Sequence, residues 1–81
     1  MKVLVFVTLK NDVLDPEGEA IRKASQALGH EVVTGVRQGK LFELEIDAAS
    51  PEAARSLAEE LAEKLLANTV IENYRIERVE A

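Results

Sequence analysis

The sequence predicts an α+β two-layer sandwich: a four-stranded antiparallel sheet with two helices on one face. Three observations predict it. Strand-like and helix-period runs follow one another in the order β-α-β-β-α-β. Both helical runs open on a capping side chain followed by proline, Asp15-Pro16 and Ser50-Pro51. The opening run, Lys2 to Lys10, has one wholly apolar register, Val3, Val5, Val7 and Leu9, as a central strand requires.

The opening strand has a second register, Lys2, Leu4, Phe6, Thr8 and Lys10, polar at its ends and apolar in the middle. The first register is assigned to the core. Leu4 and Phe6 then form an apolar patch on the outer face, which marks them as a candidate oligomer interface. The first helix starts at Asp15-Pro16, where a carboxylate caps the free amides and proline presets φ. Ala20, Ile21, Ala24, Ala27 and Leu28 form its apolar stripe, and Gly29 fits a left-handed stop. Gly18 is costly so early in a helix, by about 1 kcal/mol relative to alanine, which points to a frayed first turn or to close backbone approach by a partner.

Glu31 to Gln38 reads as a second strand, with Val32, Val33, Thr34 and Val36 and a bend at Gly35. Gly39-Lys40 is predicted to be a tight turn, after which Leu41 to Ala48 returns as strand three. There the alternation is clean: Phe42, Leu44, Ile46 and Ala48 inward, Glu43, Glu45 and Asp47 outward, facing Lys2 and Lys10. Ser50-Pro51 opens a helix with the stripe Ala53, Ala54, Leu57, Ala58, Leu61, Ala62, Leu65 and Leu66, and Asn68 is its predicted left-handed stop. Asn73 to Val79 is the last strand, with Tyr74 and Ile76 inward. This order is the ferredoxin-like split βαβ pattern, in which strands one and three lie at the centre and strands two and four at the edges.

Composition narrows the function. The 81 residues form a single domain, 1–81. A chain of this size buries only about 60–65% of its extended surface, so oligomerisation is a natural route to a larger core. Ten bases against fifteen acids give a net charge of −5, which argues against binding a phosphate backbone. Aromatic stacking on an open sheet face, as in RNA-recognition modules, conflicts with the outward Glu43 and Glu45. No apolar run approaches the roughly 20 residues of a membrane span, and no leader pattern precedes the first strand; a cytoplasmic protein is expected.

The search for chemistry yields little. With no cysteine there is no disulfide, no thiolate metal site and no copper or redox motif. His30 is the only histidine and reads as a polar turn residue; no metal site is predicted. Ser25, Ser50, Ser56 and the three threonines have that one imidazole among them, so no nucleophile has both a base and an orienting group. There is no Walker loop and no G-x-G-x-x-G. Arg37 and Lys40 flank Gly39 as a cationic pair suited to an acidic partner or a phosphate, or to the ordinary role of a polar hairpin tip.

Three segments carry a resemblance: Val5 to Lys10 with Val13-Leu14-Asp15-Pro16-Glu17-Gly18, then Val36-Arg37-Gln38-Gly39-Lys40, then Leu65-Leu66-Ala67-Asn68-Thr69-Val70-Ile71-Glu72. In this order and spacing the chain resembles the PurS family, small subunits of the glutamine-dependent phosphoribosylformylglycinamidine synthase of purine biosynthesis. Thr69 departs from the family's usual proline. The resemblance implies a subunit of a glutamine-hydrolysing C–N ligase complex with no catalytic residues of its own. It would bridge a synthetase, PurL, and a glutaminase, PurQ, and support ammonia transfer. ATP and magnesium would be used by the synthetase, and no cofactor would be bound by this chain alone. Family members form dimers, some tetramers, and a pair resembles the N-terminal domain of the long single-chain enzymes. The motif positions Asp15, Gly18, Arg37, Gly39, Lys40 and Asn68 become the expected partner-binding residues. An alternative of the same topology is a free-standing ACT-like domain that binds small molecules at a dimer interface.

Overall fold

The computed structural model describes residues 1–81. It contains β1 (Lys2–Leu9), α1 (Pro16–Ala27), β2 (Gly39–Glu45), α2 (Pro51–Leu61), a π-helical turn (Ala62–Leu66) and β3 (Glu72–Glu80). The sheet has three strands in the order β2-β1-β3, antiparallel throughout, with β1 at the centre. The expected four-stranded sheet is not formed. Residues 33–38 make no ladder, and they run into β2 without a turn or a bend. Gly39 and Lys40, expected as a hairpin turn, are instead the first residues of β2, which is therefore an edge strand. The physical reason is that, with no turn at Gly39-Lys40, this β-branched run continues straight into β2 and cannot fold back to pair with it.

The core follows the predicted register of β1. Val3, Val5 and Val7 are fully buried, packed with Ile46 and with Ala54, Ala58 and Ala62 of the second helical segment. The alanines recur every four residues and let α2 lie close to the sheet. β3 contributes Tyr74, Ile76 and Val79 opposite Val7, Val5 and Val3. Their odd spacing is reconciled by a bulge: the register shifts between Leu4 and Val5, leaving Glu77 as the extra residue.

On the outer face Leu4 lies between Glu43 and Arg78, and Phe6 between Leu41 and Arg75. Leu4 is buried there, and the Arg75 guanidinium sits 4.6 Å from the centre of the Phe6 ring.

α1 does not pack on the sheet as α2 does. The stripe expected in the core, Ala20, Ile21, Ala24, Ala27 and Leu28, is exposed throughout. The half-buried residues of this helix are polar: Glu19, Arg22, Ser25 and Gln26. Gly29, at φ 99°, ends the helix as predicted. Asn68 is not left-handed, contrary to its expected role. The second helical segment ends through the π turn, with the Ala67 amide donating to the Ala62 carbonyl.

Candidate functional site

The motif residues converge at the end of β1. Asp15 caps α1: its Oδ1 accepts from the Gly18 amide at 3.0 Å. Its Oδ2 accepts from the Gln38 amide at 2.7 Å, 23 residues further along. Only 5% of Asp15 is exposed. The Gln38 and Gly18 amides, with Arg37 nearby, hold its carboxyl below the ordinary carboxylate value. Gly18 is there for close approach: a Cβ would run into the Val36 carbonyl oxygen and the Asp15 carboxylate.

Arg37 closes the same junction from the other side. Its Nη2 donates to the carbonyls of Lys10 at 3.0 Å and Val13 at 3.1 Å, and more weakly to Leu9 at 3.4 Å. One guanidinium thus satisfies the carbonyls where the chain leaves β1. Gly39 fits against β1, where a Cβ would lie 3.0 Å from the Phe6 ring and from the Thr8 methyl. Lys40 pairs with Glu72 at 3.4 Å, tying β2 to the start of β3 across the end of β1.

Between these groups lies a cleft of about 340 Å³, walled by Asp15, Glu17, Gln38, Lys40 and Glu72 over a floor of Val7 and Leu9. Three carboxylates and one ammonium make it acidic, unlike a phosphate cradle. A second hollow of about 310 Å³ holds Lys10, Glu63, Glu72 and Tyr74, where the Glu63 carboxylate pushes the Tyr74 phenol above its ordinary value. No three of the histidine, aspartate and glutamate side chains cluster as metal ligands.

Asn68 builds the turn into β3. Its carbonyl accepts from the amides of Ile71 at 3.0 Å and Glu72 at 2.7 Å, and its Oδ1 from the Val70 amide at 3.2 Å. The Glu72 carboxylate accepts from the Asn68 amide at 2.7 Å. Glu72 therefore links the Asn68 turn to Lys40. Asp15, Gly18, Arg37, Gly39 and Lys40 are brought together, and Asn68 joins them through Glu72. Gln38 and Glu72 belong to the same site and were not singled out from the sequence. Gln38 takes part only through its backbone amide, which side-chain chemistry does not announce.

The geometry joins segments that lie far apart in the chain. Residues 2–80 match the family model described as PurS: phosphoribosylformylglycinamidine (FGAM) synthase. The phosphoribosylformylglycinamidine synthase subunit PurS of Mycobacterium leprae is 47% identical over 77 residues, covering 95% of this chain and 94% of that one. The structure of Bacillus subtilis PurS superposes with a TM-score of 0.81 at 47% identity, covering 98% of each chain. A chain in the structure of PurLQS from Thermotoga maritima superposes with a TM-score of 0.83 at 28% identity, covering 98% of this chain and 99% of that one. The chain belongs to the PurS family, the small subunit of phosphoribosylformylglycinamidine synthase, a ligase of purine biosynthesis.

Proposed function

We propose that this chain is an assembly subunit that bridges the synthetase PurL and the glutaminase PurQ and supports passage of ammonia between them. The observation that carries the reading is a junction of charged groups used to brace the backbone, beside a helix whose apolar face is uncovered. Such a molecule is built to be covered by other chains. The related chain in PurLQS of Thermotoga maritima sits in an assembly so named. ATP and magnesium act in the synthetase, and this chain supplies contact surface. The partner surface is the braced end of the sheet, where Arg37, Gly39, Lys40 and the Asn68 turn are exposed and the buried Asp15 and Gly18 hold the junction beneath them. The chain acts as a homo-oligomer in the cytoplasm; no helix is long and apolar enough to cross a membrane.

The test is reconstitution. Glutamine-dependent formation of the amidine product is measured with synthetase and glutaminase, with and without this chain. The expected result is loss of glutamine-dependent activity on omission, with activity from added ammonia retained. Equal glutamine-dependent activity without the chain would overturn the proposal.

A further inference from the structure

The cleft at the exit of β1 has one carboxylate that no side chain balances. Of its three acids, Asp15 is occupied by the Gly18 and Gln38 amides, and Glu72 is shared between the Asn68 amide and the Lys40 ammonium. Glu17 is exposed on the wall and enters no ion pair.

The rest of the cleft narrows which cation would answer Glu17. The space is about 340 Å³ over an apolar floor of Val7 and Leu9. No three acidic side chains converge as a bare metal ion would need. An apolar floor beside a carboxylate suits a methylene stem with a charged head, the shape of a lysine or arginine side chain. A second, independent feature flanks the cleft. Leu14, directly before the Asp15 cap, is 75% exposed. Val70 and Ile71, directly before Glu72, are 79% and 39% exposed, and the Ile71 carbonyl accepts from the Lys10 amide at 2.8 Å. All three lie in the loops that carry the cleft's walls, outside every helix and strand.

We infer that this end of the sheet docks a large subunit of the ligase through a lysine or arginine side chain set in an apolar surface. The cationic head enters the cleft beside Glu17, and its stem lies over Val7 and Leu9. Leu14, Val70 and Ile71 bury the surface around it. A free cation would leave those three side chains in water, whereas a protein partner covers them. The inference rests on the bridging role proposed above and places the contact at named groups.

The test mixes the full chain with both large subunits under assay conditions and reads association by sedimentation velocity across a salt series. Association of the parent chain is expected to weaken as salt screens the contact. Glu17→Arg is expected to weaken it about tenfold or more and to flatten the salt dependence, because attraction becomes repulsion. Leu14→Ser and Val70→Ser are each expected to weaken it about tenfold with the salt dependence kept. These side chains are exposed, so the mass and circular dichroism of each isolated variant are expected to match the parent. Glu52→Arg reverses the same charge at the far end of the sheet, where α2 begins, and is expected to bind as the parent does. Parent-like binding by Glu17→Arg overturns the placement. So does equal weakening by Glu17→Arg and Glu52→Arg, or parent-like binding by both serine variants. In each of those results the parent still binds, so the bridging role stands. A parent chain that binds neither subunit overturns both.

Discussion

Asp15 shows how one carboxylate sets the shape of a small protein. It caps α1 and fixes the Gln38 amide, so helix and arm leave the sheet together. Its folded pKa lies below the ordinary value of 3.8, so its contribution to stability is full above that value and is lost as pH falls through the folded pKa. Asp15→Asn is therefore expected to be less stable than the parent at neutral pH, with the gap closing in acid. Denaturant midpoints across a pH series check this; a gap that is constant with pH would contradict it. Gly18→Ala sets two effects against each other. Helix propensity favours alanine by about 1 kcal/mol, while forcing a methyl against the Val36 carbonyl costs about 1–3 kcal/mol. The net expectation is a loss, read as a lowered unfolding midpoint.

At the scale of elements, α2 depends on small residues. Ala58 is fully buried between the helix and the sheet, and Ala58→Leu is expected to cost about 1–3 kcal/mol by overpacking, measured by chemical denaturation. The turn after it offers the opposite case. Thr69 follows Asn68 in a turn closed by the Ile71 amide on the Asn68 carbonyl, and its own amide makes no backbone bond. Proline suits that second turn position, so Thr69→Pro is expected to stabilise by about 0.4–1 kcal/mol. A lowered midpoint would contradict it.

The elements also show what was legible. Both caps and the β1 register follow from local chemistry, and the Asp15 and Ser50 side chains bond as their positions predict. The Val32-to-Val36 run has strand composition and the α1 stripe has core composition, yet neither is paired or buried. Composition records that a segment wants a neighbour; it does not record which chain the neighbour belongs to. The site was legible in part for a related reason. Asp15, Arg37 and Lys40 announce themselves by charge, whereas the Gln38 amide has no side-chain signature. Leu4 read as a spare apolar surface, but Glu43 and Arg78 flank it and it is buried; the larger exposed apolar surface lies on α1.

The whole molecule is elongated. Its extents are 50 × 27 × 14 Å and its radius of gyration is 15.9 Å, against roughly 12 Å for a compact domain of this length. Its core of 8 buried apolar residues has only valine, isoleucine and alanine in it. A chain of this size with so little buried surface gains its stability by association. Ile21, Leu28 and Val32 are among the large apolar side chains left exposed in the single chain. The account therefore makes a prediction about mass before it makes one about activity. Sedimentation equilibrium of the isolated protein in dilute buffer tests it most directly. A particle of at least twice the 8.9 kDa chain mass is predicted, dissociating and unfolding together on dilution. A stable, cooperatively folded particle of single-chain mass would contradict it.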